Sequence, residues 1–323
     1  MEGIVNVLKP PGMTSSNAVA DVRHLFDMKR VGHTGTLDPG AAGVLPICLG
    51  RATRLFDYLV DKEKEYYAEV AFGCATDTQD SYGTVIACGE GIVRMEKLQA
   101  VLPAFIGEIE QVAPMYSAVC VDGKRLYQLA REGAEEIRKT RRVLVHALEP
   151  VAQTGENRFL LRVQCSKGTY VRTLCHDIGM ALGIPAHLSF LLRTRSGAFD
   201  VEGAYSIAEL RELKEAGALA SAVVSVEHAL LHLLEARLDG LSARNARLLT
   251  NGAEIAHPAC SLAGEYAASR LCQRRIFRRW VDRGRKAAHY YVLWGGSGAW
   301  KLKRRERSLP LARSMACMQA IAR

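Results

Sequence analysis

The stretch GHTGTLDPGAAGVLP, residues 32–46, places four glycines and two prolines in fifteen positions. So dense a run of Gly and Pro defeats both the helix and the strand period, and residues 32–43 read as a loop. Within it Asp38 precedes Pro39, which disfavours the helical basin at the aspartate. Gly32, Gly35, Gly40 and Gly43 permit positive φ and the close approach of another backbone. Such a loop presents a carboxylate at a fixed turn. Taken alone, a DPG tripeptide is more often an Asx-turn whose aspartate merely caps the amides that follow.

Upstream of the loop, residues 15–29 carry Val19, Val22, Leu25 and Phe26 at helical spacing. Thr14 or Ser15 is available as N-cap after Pro10, Pro11 and Gly12. Downstream lies the apolar run 44–49. Strand patterns follow at 66–72, 84–88, 143–153 and 159–164, and helical patterns at 95–105, 126–137, 170–182, 207–216 and 222–234. This order lacks the regular strand–helix–strand cycle of a doubly wound fold. It predicts an α+β domain with a mainly antiparallel mixed sheet flanked by helices. A boundary is expected near 236–242, giving domains at 1–236 and 237–323, the second opening on a short helix at 242–250 and holding a strand at 290–294.

With 323 residues, 49% apolar and 24% charged, the chain is long enough for two domains and is neither disordered nor fibrous in composition. The net charge of +9 is unevenly placed. From residue 270 onward there are 15 Lys/Arg against 2 Asp/Glu, a net of +13, so residues 1–269 carry −4. The basic balance therefore says nothing about the main body, and polyanion binding there must rest on local clusters. These are Lys29 with Arg30, Lys124 with Arg125, and Arg138, Lys139, Arg141 and Arg142, the last run diluted by Glu132, Glu135 and Glu136.

The most apolar segment, 216–236, is interrupted by Glu227, His228, His232 and Glu235, and falls short of the roughly 18 apolar residues of a membrane span. The start, MEGIVNVLKPPG, lacks the basic and apolar regions of a secretion signal, so a cytosolic protein with no membrane contact is expected. Nine cysteines occur without any CxxC, which reads as reduced thiols and no metal framework. His228 and His232 stand four apart with no third ligand nearby. The phosphate-binding, dinucleotide, zinc-protease and serine-hydrolase motifs are all absent.

Six segments in order carry a family resemblance: NVLKPPGMTS (6–15), VGHTGTLDPGAAGVLPICLGRATRL (31–55), KEYYAEVAFGCATDTQDSYG (64–83), PMYSAVCVDGKRLYQLAREG (114–133), CSKGTYVRTLCHDIG (165–179) and PAHLSFLLRTRSGAF (185–199). Together they resemble the TruB family of tRNA pseudouridine-55 synthases. The resemblance implies a pseudouridine synthase core followed by a small PUA-like RNA-binding domain. It also implies an isomerase that detaches a uracil from its ribose, turns it and rejoins it through C5, with no cofactor and no metal. The implied partner is the T-arm of tRNA, bound by a monomer.

By the same resemblance Asp38 is the nucleophile, Arg172 its ion partner and Tyr66 the stacking and proton-transfer residue. A desolvated nucleophilic carboxylate needs a fixed cation beside it, and arginine supplies one with a bidentate fork. Alternation along a strand puts Tyr66 and Tyr67 on opposite faces, and the KxY spacing selects Tyr66. Asp80, with Asp77 as the local alternative, is expected near Arg172. Leu191 is expected as the apolar wall beneath the base, and Lys167 and Tyr170 as support for the arginine. His33 is expected to fill the gap left by an extruded base, an extrusion costing a few kcal/mol. Lys9 is expected to brace the loop, and Tyr116 with Ser117 to pack nearby.

The chain departs from the family at Cys120, where lysine is common, at Ala113, where proline is usual, and after about residue 264, where the pattern is lost. Two rival functions share the scaffold: a noncatalytic tRNA-binding or tRNA-folding module, and a synthase acting on another RNA.

Overall fold

The computed structural model describes residues 1–229, apart from 57–58, 60–62, 115, 118–119, 122 and 126–139, together with 235–238, 260–262 and 290–291. Met1–Val226 falls in one compact unit and Glu227–Leu309 in another.

The first unit is built on one large sheet. Its strands are β1 (Gly3–Lys9), β2 (Val31–His33), β3 (Ala42–Leu49), β4 (Lys64–Phe72), β7 (Gly107–Val112), β10 (Thr140–Gly155), β11 (Arg158–Cys165), β12 (Ala186–Ser196), β13 (Phe199–Asp200) and β14 (Val223–Val224). Between β4 and β7 lies a separate hairpin of β5 (Cys74–Thr76) and β6 (Val85–Cys88), and before β10 a second, of β8 (Cys120–Val121) and β9 (Lys124–Arg125). The main order is β14-β1-β3-β12-β4-β11-β10-β7, with β2 beside β3 and β13 beside β12. All described pairings in it are antiparallel except β3 with β12, which run parallel through Leu192↔Ala42 and Arg193↔Gly43. The α+β expectation with a mainly antiparallel mixed sheet therefore holds.

Helices flank the sheet where the sequence periodicity places them. Helix α1 (Ser15–Leu25) starts at Thr14, whose hydroxyl accepts from the Asn17 amide, and buries Ala18, Val19, Val22 and Leu25. Helix α2 (Met95–Val101) continues into a 3-10 turn, Leu102–Phe105. Helix α3 (Val171–Leu182) buries Val171, Leu174, Cys175 and Ile178, and stops at left-handed Gly183. Helix α4 (Ile207–Glu215) opens with a Ser206/Glu209 capping box. Strand β3 is buried along its whole length, whereas β10 alternates between covered and open positions, so the sheet is two-faced near its centre and half-solvated towards β7.

Two expectations need correction. The loop from residue 32 is shorter than its composition suggested, because β2 and β3 pair as Val31↔Leu49, Gly32↔Cys48 and His33↔Ile47 and absorb both ends of it. The apolar run 222–234 is not one helix: Val223 and Val224 pair with Val5 and Ile4 of β1, and helix appears only at Val226–Ala229 among the described residues. Two β-branched valines beside an open sheet edge favour the strand. The sequence reading held no strand at β1, β7 or β12: β1 is buried at nearly every position, and β12 carries Arg193 and Arg195 within its apolar run.

In the second unit β15 (Glu235–Leu238) pairs antiparallel with β16 (Cys260–Leu262) and β17 (Tyr290–Tyr291), the last inside the expected 290–294 strand. The expected helices at 126–137 and 242–250, and nearly all of 237–323, where a PUA-like domain is expected, lie outside the described residues.

Candidate active site

The loop between β2 and β3 is tied down from three directions. The Ser15 hydroxyl at the start of α1 accepts from the Leu37 amide at 2.9 Å and donates to the Leu37 carbonyl at 2.8 Å. The Gly12 amide donates to Pro39 O at 2.8 Å. Lys9, without solvent exposure at the end of β1, gives its ammonium to Pro10 O, Met13 O and Pro39 O at 2.8, 2.7 and 3.2 Å. Burial lowers Lys9 to about 8, the Asp38 charge pulling it back up and Arg193 adding to the fall. From the other side Arg193, 1% exposed on β12, donates to Val44 O at 2.7 Å and to Thr36 O and Gly35 O at 3.3 Å. Sequence reading did not single out Arg193. An arginine inside the apolar run of β12 is the signal that would have marked it, since a buried charge needs a purpose and partners.

Glycine is required at the junction of β3 and β12. Gly43 has φ +118, and a Cβ there would overlap the Arg193 carbonyl and lie 2.7 Å from the Arg193 nitrogen. Gly40 serves differently, leaving room for the Tyr82 ring to lie over the loop.

Asp38 is therefore carried on a pinned turn. Its backbone carbonyl takes the Ala41 amide at 3.1 Å, while its carboxylate, 38% exposed, stands 2.9 Å from Nε of Arg172. Among the described residues no amide of the turn bonds that carboxylate, so the turn is not closed as an Asx cap. Arg172 is 5% exposed in the first turn of α3. Its Nη1 donates to Thr78 O at 2.9 Å and its Nη2 to Tyr116 O at 3.0 Å. Nε faces Asp38 at ion-pair distance but off the hydrogen-bonding direction, which leaves it with no aligned acceptor. The pair is thus an electrostatic contact with an accessible carboxylate, on a guanidinium whose outer nitrogens are already satisfied.

The hairpin of β5 and β6 supplies the facing wall. Asp80 Oδ2 lies 3.5 Å from Arg172 Nη1, and its Oδ1 accepts from the Thr78 hydroxyl at 2.7 Å and the Tyr82 amide at 3.0 Å. Asp77 instead accepts from the Thr84 amide at 2.8 Å and closes the hairpin turn. Between the two walls opens a cleft of about 280 Å³, lined by Asp38, Asp80, Tyr82, Arg172, Phe190 and Leu191, among others. Leu191 is 7% exposed and forms part of the floor. Tyr82, 70% exposed at the mouth, was not anticipated either.

Tyr66 lies behind the loop on β4, paired with Arg193 and 6% exposed. Burial pushes its phenol up to about 12, against the nearby Arg193 charge. The phenol thus keeps its proton at neutral pH. Tyr67 turns to the opposite face, among Glu65, Arg162 and Glu149. His33 ends β2 with Nδ1 buried and without a protein partner among the described residues. Burial and Arg193 lower its pKa, which keeps the ring neutral. Tyr170 caps α3, with its amide and carbonyl held by Gln111 at 3.0 and 3.2 Å and its ring beneath Arg141 at 5.4 Å. Tyr66, His33, Lys9 and Tyr170 do not line the cleft. Ser117 is buried beside Tyr116 in sequence. Of the basic run, Arg141 and Arg142 begin β10, Arg142 pairing with Glu110 at 3.2 Å, while Arg138 and Lys139 lie outside the described residues.

The chain matches the model of the TruB family pseudouridylate synthase N-terminal domain over residues 23–171, and that of the tRNA pseudouridylate synthase B C-terminal domain over 172–231. It is 44% identical over 266 residues to the tRNA pseudouridine synthase B of Geobacillus thermodenitrificans, covering 80% of this chain and 87% of that protein. The chain belongs to the TruB family. Its likeness to the tRNA pseudouridine synthase B of Caldanaerobacter subterraneus subsp. tengcongensis is 49% over 215 residues, 66% of this chain and 75% of the relative. Among solved structures, one of an H/ACA RNP bound to a substrate RNA containing 2'-deoxyuridine matches with TM-score 0.61 and 30% identity, over 80% of this chain and 70% of that chain. A Cbf5-Nop10-Gar1 complex matches at TM-score 0.57 and 33% identity, over 72% of this chain and 62% of that one. Among the described residues no cluster of His, Cys, Asp and Glu is poised to hold a metal, and no helix is long and apolar enough to cross a membrane.

Proposed function

We propose that this TruB-family protein is a tRNA pseudouridine synthase acting on the T-arm uridine, position 55. One observation carries the reading: the Asp38 carboxylate is 38% exposed at the cleft while the Arg172 guanidinium, 5% exposed, stands 2.9 Å behind it. The cation fixes the carboxylate without withdrawing it from a nucleotide that enters the cleft.

In this reaction the bond from C1′ to N1 breaks, the bond from C1′ to C5 forms, the C5 hydrogen leaves as a proton and N1 gains one. Nothing is oxidised or reduced. Asp38 serves as nucleophile, and Arg172, steadied by Thr78 O and Tyr116 O, holds it in place. Leu191 forms the floor under the uracil. The stacking and proton-relay role assigned to Tyr66 rests on the family resemblance, since its protonated phenol sits next to Arg193 behind the loop and not in the cleft. Neutral His33 suits stacking in the gap left by the base, and Lys9 keeps the loop in place. RNA contact rests on phosphates and shape more than on base edges. The protein works as a monomer on tRNA, with the catalytic domain at 1–236 and the PUA-like region at 237–323.

Release of tritium from C5-labelled tRNA transcript tests the reading. Wild type is expected to release it and Asp38→Asn to fall to background, with tRNA binding retained. Equal release by both proteins overturns the role of Asp38. Tight binding without release by wild type would make the protein a tRNA-folding module, and release only from another RNA would reassign the substrate.

A further inference from the structure

Three of the five cysteines described as free, Cys48, Cys165 and Cys175, are buried, whereas Cys74 is half-buried and Cys88 exposed. These last two stand directly opposite each other at the base of the β5/β6 hairpin. The neighbouring pair, Gly73 and Gly89, is joined by the Gly89 amide donating to Gly73 O at 2.9 Å. Hydrogen-bonded and non-hydrogen-bonded pairs alternate along an antiparallel ladder, so Cys74 and Cys88 occupy a non-hydrogen-bonded position, where side chains on one face stand closest. Such pairs have Cα atoms about 4.5 Å apart, inside the 4.4–6.8 Å span of disulfides. The neighbouring Cys88 thiol raises Cys74 above the usual thiol value.

We propose that Cys74 and Cys88 form a redox-active dithiol, a modification site that low-molecular-weight disulfides such as oxidised glutathione close into an intramolecular bond. The Cys88 thiolate attacks one glutathione sulfur, forming a mixed disulfide and expelling one glutathione thiol. The Cys74 thiol then loses its proton, attacks the Cys88 sulfur and expels the second. Two cysteines lose two electrons and two protons, and one disulfide becomes two thiols. Because the backbone is already paired at this position, closure needs no change of strand register. The clasp bears on the cleft, since the hairpin tip carries the Thr78 carbonyl, Asp80 and Tyr82.

The test uses the full chain and does not depend on the reaction assigned above. No Lys or Arg lies between Lys64 and Arg94, so trypsin releases residues 65–94 as one peptide containing Cys74 and Cys88 alone among the cysteines. After treatment with oxidised glutathione, that peptide is expected to be lighter by two hydrogens and to regain them with dithiothreitol. The thermal midpoint is expected to rise by several degrees, on the order of 5 °C, through closure of the hairpin loop. Cys74→Ser and Cys88→Ser, treated identically, should show neither change. A stable glutathione adduct on the wild-type peptide in place of the two-hydrogen loss, or the same thermal shift in the serine variants, overturns the proposal.

Discussion

At the scale of single residues, two arginines divide the work. Arg172 faces Asp38 with its Nε and spends its outer nitrogens on Thr78 O and Tyr116 O. Arg193 has no carboxylate partner among the described residues and gives its guanidinium to three carbonyls, those of Gly35, Thr36 and Val44. A buried cation satisfied by backbone carbonyls of the loop and of β3 is a clamp, because its loss leaves buried acceptors unpaired at about 1–3 kcal/mol each. Arg193→Met is therefore expected to destabilise the protein by about 3 kcal/mol in urea titrations, and to lower tRNA turnover more than tRNA binding. Stability unchanged by that substitution would show that the loop holds its shape without the arginine. Asp38 was legible in the sequence because its turn residues are local. Arg193 was not, because its purpose lies on a loop some 150 residues away in the chain.

At the scale of elements, the parallel seam between β3 and β12 fixes where the loop leaves the sheet. Gly43 permits that seam: its φ of +118 and its closeness to the Arg193 backbone exclude any side chain. Gly43→Ala is expected to cost on the order of 3 kcal/mol or more and to lower turnover, since Ala42 and the loop before it must shift with the strand. Gly217→Ala is the control. Gly217 also has positive φ, +68, but nothing lies within 4 Å, so only a backbone penalty of about 1 kcal/mol is expected. Matching losses in the two variants, read from unfolding midpoints, would remove the steric argument. The hairpin of β5 and β6 was visible as a strand pattern at 84–88. That its tip supplies both a carbonyl and a carboxylate to one arginine was not, because that meeting spans 94 residues.

At the scale of the molecule, the core controls the response to alkali. Burial raises the thiols of Cys48 and Cys175 to about 12, Cys165 to about 11 and the phenol of Tyr66 to about 12. Each folded value stands above its unfolded one, so the native state binds more protons through the interval. Their stabilisation is complete below about pH 9 and lost as pH rises towards 12. Each group steepens the fall by about 1.4 kcal/mol per pH unit within its own window. Lys9 acts in the opposite sense, because its value of about 8 is depressed and the unfolded chain binds the extra proton between pH 8 and 10.5. Urea midpoints measured from pH 8.5 to 11 should fall in wild type and fall less steeply in Cys48→Ala, despite that variant's lower starting stability. An identical slope in both would exclude Cys48 from the linkage.

The sequence by itself determined the α+β class, the positions of α1, α3, α4, β4, β10 and β11, and the identity of the loop that carries Asp38. These follow from local period, capping and turn chemistry, which a short window contains. Only the tertiary structure decided that β3 and β12 run side by side, that Val223 and Val224 complete an edge of the sheet, and that Arg193, Lys9 and Ser15 lock one turn. The reason is physical: those outcomes depend on which distant backbones pair and which buried polar groups find acceptors, and neither leaves a periodic trace along the chain.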